Sequence, residues 1–209
     1  MKKFLAISST AVAAAIALAG CSAGTDGGSM PGMDHGGSSP GSTSTSAGAS
    51  AMMAGAERNS ADTTFAQMMT PHHLQAVDMS NLLLAKQGID PRVSALATKI
   101  KAAQAPEIEK MTGWLAAWKE PAAMSGMSGT SGMTGTMSDE EMKKLDAAQG
   151  AEAAKLYLSQ MVTHHEGAVE MAKTEVIDGK NADAVALAKS IVSTQESEIK
   201  EMQDLLTTL

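Results

Sequence analysis

Apolar side chains recur every three or four residues across 62–120 and 138–209, with almost none of the alternation that marks strands. The spacing predicts four long helices. Steps of four and three residues trace one stripe along each. The first reads Phe65, Met69, His72, Ala76, Met79, Leu83, and the second Ile100, Gln104, Glu107, Met111, Trp114, Trp118. The third reads Tyr157, Met161, His164, Ala168, Met171, and the fourth Ile191, Gln195, Glu198, Met202, Leu205, Leu209. Every stripe is polar or sulfur-bearing at mid-length and apolar toward one or both ends.

The ends of these helices carry local signals. Asp90-Pro91 supplies an N-cap with proline at the first helical position, and Ser138 with Glu141 forms a capping box. Gly88 and Gly179 fit helix C-termini, and Gly150 divides a short lead-in helix (139–149) from the long third one. Pro71 either kinks the first helix or begins a fresh segment after a Thr70 cap.

An internal repeat assembles the helices. MMTPHHLQAVDM at 68–79 matches QMVTHHEGAVEM at 160–171, which superposes His72 on His164 and His73 on His165 at an offset of 92. Gln104-x-x-Glu107-Ile-x-x-Met111 matches Gln195-x-x-Glu198-Ile-x-x-Met202 at an offset of 91. The lost residue falls between helices. Each half is a helical hairpin, and two hairpins make an all-α four-helix bundle.

Composition changes outside this region. Lys2 and Lys3 precede an apolar run, Phe4 to Ala19, that is too short to span a bilayer, so 1–20 reads as a secretory signal. It ends Leu18-Ala19-Gly20-Cys21, which looks like a lipobox that would lipidate Cys21, the one cysteine of the chain. Residues 21–57 read as a Gly/Ser/Thr/Met tether before a folded region at 58–209. Within that region, 121–137 reads as a Met/Gly/Ser linker between repeat one (62–120) and repeat two (138–209). Without Lys2 and Lys3, 14 basic residues face 23 acidic ones, a net charge near −9 that disfavours nucleic acid. The expected location is the outer face of the cytoplasmic membrane, or the periplasm or outer membrane where the cell has one.

Buried His, Gln or Glu without partners costs a few kcal/mol each. The same residues at mid-length in both repeats point to a metal that satisfies them. Imidazole and thioether select Cu(I), with Ag(I) as its mimic, whereas a di-iron bundle wants four Glu where these stripes offer Glu107 and Glu198. Those two carboxylates are expected to accept from histidine N–H groups, with Gln104 and Gln195 beside them. Met30, Met33, His35 and Met124 to Met137 place further thioethers and an imidazole on chain with no packing role.

Phe65-x-x-x-Met69-x-Pro71-His72-His73-x-x-Ala76-x-x-Met79, its copy from Tyr157 to Met171, and the two Gln-x-x-Glu-Ile-x-x-Met segments resemble the domain-of-unknown-function family 305. That family includes CopM-like exported copper-binding proteins. The resemblance covers about 62–118 and 139–205; the insert at 122–137 and Thr163 in place of proline depart from it. It implies a ferritin-like four-helix bundle that binds copper or silver. The implied ligands stand at His72, His73, His164, His165, Met69, Met161, Met79, Met171, Met111 and Met202.

The expected function is a membrane-anchored extracytoplasmic copper-binding protein without catalysis, whose partners are copper ions and, through its lipid, the membrane. Three alternatives stay open at this point: a ferritin-like metal oxidase, a b-type haem bundle with His and Met axial ligands, and a structural surface lipoprotein.

Overall fold

Each long helix starts where neighbouring groups satisfy its free N–H groups, and these starts define the hairpins. The computed structural model describes residues 57–122 and 132–209. The signal segment, Cys21, the tether with Met30, Met33 and His35, and Met124 and Met127 of the linker lie outside the described residues. Five helices are present among the described residues: α1 Ser60–Leu84, α2 Pro91–Trp118, α3 Asp139–Ala147, α4 Gly150–Asp178 and α5 Ala182–Leu206. There is no strand among the described residues, and none of these helices is long and apolar enough to cross a membrane.

The expected N-caps form, whereas α1 ends at Leu84 with Ala85 as its cap, three residues before Gly88. Asp90 accepts from the Arg92 amide with Pro91 at the first turn of α2, and Ser138 and Glu141 close a capping box on α3. A box missing from the sequence reading starts α1, where the Asn59 side chain accepts from Ala61 and Asp62 while Asp62 Oδ2 accepts from the Asn59 amide at 2.6 Å. The other Asp62 oxygen accepts from the Lys180 and Asn181 amides, which pins the α4–α5 turn to the start of α1. Pro71 neither ends nor restarts α1, which runs unbroken through it, and the Thr70 hydroxyl donates back to the Ala66 carbonyl instead of capping a new segment.

The hairpins α1–α2 and α4–α5 make the most extensive helix contacts, and α1 against α4 joins them. The His72 ring lies against His164, and the Ser80 hydroxyl meets the Tyr157 hydroxyl at 3.0 Å. Moving eight residues along α1 therefore moves seven back along α4, so the two helices are antiparallel. Because His164 is the repeat equivalent of His72, an approximate twofold axis passes between their rings. On one side lies an apolar cluster with Met79, Leu83, Tyr157, Met161 and Met202; on the other lie Phe65, Met69, Met111, Ala168 and Ala172. Burial of each large apolar side chain contributes roughly 1.5–3 kcal/mol. The register that brings Tyr157 to Ser80 also puts Phe65 opposite Ala172, an apolar pair in place of a hydroxyl pair.

The insert between repeats breaks this symmetry. Its thioethers were expected to have no packing role, yet Met133 and Met137 are buried. The Gln75 amide donates to the Met137 carbonyl at 2.8 Å and accepts from the Met137 amide at 2.7 Å. Gly135 has φ +81°, and its Cα packs against the Gly167 backbone in the middle of α4. A Cβ on Gly167 would strike the Thr134 carbonyl. Beyond this strap, α3 covers one end of the α1–α4 seam: Leu145 is buried in the core there, Gln160 donates to the Glu141 carbonyl, and Lys86 donates to the Asp146 carbonyl.

Two glycine substitutions separate close approach from helix propensity. Gly167→Ala is expected to destabilise the protein by about 1–3 kcal/mol, because the obstacle is backbone rather than a movable side chain. Gly113→Ala, inside α2 with nothing within 4 Å of the added Cβ, should stabilise by up to about 1 kcal/mol. Urea denaturation of the two variants checks both signs.

Candidate metal centre

Helix register brings the two His-His pairs to the middle of the molecule. His72 and His164 project from the same face as the buried Met69 and Met161, one turn away on their own helices. Their ring centroids lie 3.8 Å apart at an interplanar angle of 44°. That approach leaves no room for a porphyrin between the two rings. All four histidines are fully buried.

His73 and His165 lie about 100° further round their helices and turn toward the outer helix of their own hairpin. His73 Nε2 donates to Glu107 Oε2 at 2.7 Å, and His165 Nε2 donates to Glu198 Oε2 at 3.0 Å. The carboxylate partner fixes the tautomer, so each Nδ1 keeps its lone pair. Glu107 and Glu198 thus each accept from the second histidine of their own hairpin. Glu198 is buried with Lys99 3.8 Å away, while Glu107 is partly exposed.

The central pair is different. Burial, together with the neighbouring His73, holds His72 down at about 3, with the Thr134 backbone opposing part of that shift. Burial and the other histidines hold His164 well below the ordinary imidazole range. Burial also lowers His165, against the pull of Glu198. These rings are neutral at physiological pH, which is the form that binds metal. Both nitrogens of His72, both of His164, and Nδ1 of His73 and of His165 have no hydrogen-bond partner. Leaving a buried polar atom unsatisfied costs about 1–3 kcal/mol. Gln104 and Gln195, buried on α2 and α5, add amide atoms in the same condition.

Thioethers flank this core in two sets related by the twofold axis. Met79, Met161 and Met202 belong to one apolar cluster, and all three are fully buried. Met69 and Met111 belong to the other and are equally buried, but Met171 is only partly buried at its edge. The sequence treated Met79 and Met171 as equivalents; the structure separates them. Among the described residues no three His, Cys, Asp or Glu side chains are grouped as a metal site; the donors buried in this region are imidazole and thioether. That donor set suits a soft, monovalent ion. The strap from Met133 to Met137 was missed as part of this region. Its one sequence signal is Gly167, a glycine in mid-helix where repeat one has Gln75.

Residues 62–206 match the family described as Domain of unknown function (DUF305). A solved DUF305 protein from Streptomyces coelicolor is 40% identical, with a TM-score of 0.66 over 71% of this chain and 91% of that one. A DUF305 fragment from Deinococcus radiodurans is 29% identical at a TM-score of 0.66, over 72% of this chain and 98% of that one. CopM in its Cu(II)-bound form is 33% identical at a TM-score of 0.61, over 70% of this chain and 96% of that one. CopM has also been solved in Cu(I)-bound and Ag-bound forms. No curated protein matches this chain.

Burial of the central histidines sets a pH dependence. The unfolded chain protonates them below about 6.5, whereas folded His72 stays neutral down to about 3. The unfolded state therefore binds more protons across that window, and stability falls as pH drops through it. Glu175 acts in the opposite sense. Burial and Asp62 raise it from 4.5 to about 8, so its contribution is full below 4.5 and lost as pH rises through 8. Metal-free protein should lose thermal stability on acidification below 6.5. Replacing His72 and His164 together by Gln should flatten that acid limb, and Glu175→Gln the alkaline one. Thermal denaturation across the range checks both limbs.

Proposed function

The chain belongs to the DUF305 family, and on that premise we propose that it is an extracytoplasmic copper-binding protein that takes Cu(I) as cargo and lowers the free ion outside the cytoplasm. One observation carries the reading: unpartnered, buried imidazole nitrogens gathered at a twofold axis and flanked by thioethers. Neutral His72 and His164 serve as nitrogen ligands. Met69 and Met161 stand one turn away, with Met111, Met202 and Met79 behind them. Glu107 and Glu198 hold His73 and His165 in the tautomer that leaves Nδ1 free to bind. The likeness to CopM, solved with Cu(I), Cu(II) and Ag, supports copper and silver as the ions.

The protein acts by binding and releasing the ion, without turnover. A buried site of neutral donors and sulfur favours the monovalent state, because a second positive charge would lie in a low-dielectric interior with only Glu107 and Glu198 to offset it. Export follows from the signal segment, and attachment to the membrane from lipidation of Cys21. The Streptomyces coelicolor relative is also named as a secreted protein.

Competition against a Cu(I) chelator tests the reading on the whole protein. Cu(I) and Ag(I) should be retained far more tightly than Zn(II) or Fe(II); equal retention of zinc would overturn it. Replacing Glu107 and Glu198 by Gln should weaken Cu(I) by about 10- to 100-fold while the helices stay folded by circular dichroism. Removing both central histidines should abolish the tight site. Oxygen consumption on adding Cu(I) or Fe(II) would favour an oxidase instead.

A further inference from the structure

The two ends of the α1–α4 seam are equivalent by the repeat, yet they are built differently. At one end α3 covers the seam, Met79 is fully buried, and Gln160 is tied to the Glu141 carbonyl. The pair facing each other across that core is apolar, Leu83 with Ala154. At the other end the corresponding residues are Met171, Met68, Glu175 and Asp62. There a cavity of about 520 Å³ opens among the described residues, lined by Met68, Met171, Glu170, Glu175 and Thr134 among others. Met68 and Met171 are only partly buried, and Met171 packs against the edge of the apolar cluster beside the cavity. Glu175, 1% exposed, occupies the place of a core leucine, and Asp62 beside it replaces an alanine. A buried acid pair in an apolar bundle has a packing cost that its counterpart avoids. Thr134, on the cavity wall, also has its backbone beside His72.

We propose that this cavity is the port through which Cu(I) reaches the central histidines, with Met68 and Met171 forming a transfer site that receives the ion first. The proposal rests on the copper-binding reading above. The carboxylates of Glu170 and Asp178 draw a cation to the mouth, and the two thioethers select a soft one. The ion then moves inward by ligand exchange, sulfur for imidazole nitrogen, as the Thr134–Gly135 turn yields. It stays monovalent throughout, so no oxidant or reductant is required. The opposite end is sealed by α3, so traffic is confined to one side of a nearly symmetric molecule.

Stopped-flow loading of the whole protein with chelator-buffered Cu(I), beside equilibrium competition, tests this. In Met68→Leu/Met171→Leu, two volume-conserving changes, loading should slow several-fold with the tightest affinity unchanged. Thr64→Arg, which sets a bulky cation in the cavity, should slow loading by about tenfold. Met142→Leu, on α3 where Met142 packs against the core at the opposite end, should leave the rate alone. An unchanged rate in both cavity variants would overturn the port. A fall in the tightest affinity of the methionine variant would overturn it too, by making Met171 a ligand of the central site. If wild-type protein retains no Cu(I) at all, the function reading fails first, and that result is distinct from either of these.

Discussion

The close approach of His72 and His164 is the constraint on which the other features depend. Two rings 3.8 Å apart on antiparallel helices fix where α1 lies on α4, and so how the hairpins meet. A slide of one turn along either helix would separate the rings and bury each against apolar side chains. Their contact is poor as packing, because both rings are polar and none of their nitrogens has a hydrogen bond. The flanking clusters supply the stability that holds it in place. The centre therefore carries an unmet hydrogen-bonding cost, and a ligand that binds there stabilises the folded state by an amount that grows with the logarithm of its affinity.

The outer helices serve the centre rather than extending the core. α2 and α5 scarcely touch one another, and each packs on its own partner. Their main polar contribution is one carboxylate apiece, Glu107 and Glu198, aimed at the second histidine of the pair. A dipeptide of histidines thereby divides its labour. The first ring faces the axis, and the second faces the carboxylate that sets its tautomer. Such a division needs both the 100° step between adjacent helical residues and a hairpin partner on the correct side.

The hairpins, their mid-length polar positions and the repeat were legible in the sequence because they rest on local periodicity. His72, His164, Glu107 and Glu198 stand where their stripes predict. The strap was not legible. Met133-Thr-Gly-Thr-Met137 has the composition of a linker, and what orders it is Gln75, some 60 residues earlier, and Gly167, some 30 later. Nor could identical motifs reveal that Met79 is buried and Met171 is not. That difference comes from α3, which covers one end only. Asp62 was also hidden, since an acidic residue in a first helical turn reads as a cap until the α4–α5 turn is folded onto it.

The hydroxyl pair of Ser80 and Tyr157 bears on how the chain avoids assembling incorrectly. Nearly self-similar halves invite wrong partners: repeat one against repeat one from another chain, or repeat two against repeat two. Two copies of repeat two would set Tyr157 against Ala172 at both ends and bury two phenol groups with nothing to bond. Two copies of repeat one would set Phe65 against Ser80, whose hydroxyl keeps only its bond to the Ala76 carbonyl. Only the mixed pairing gives the Tyr157 phenol a partner, with a penalty of about 1–3 kcal/mol on each phenol left over when two copies of repeat two meet. A single oxygen on one ring thus discriminates the pairing of unlike halves from the pairing of two copies of repeat two.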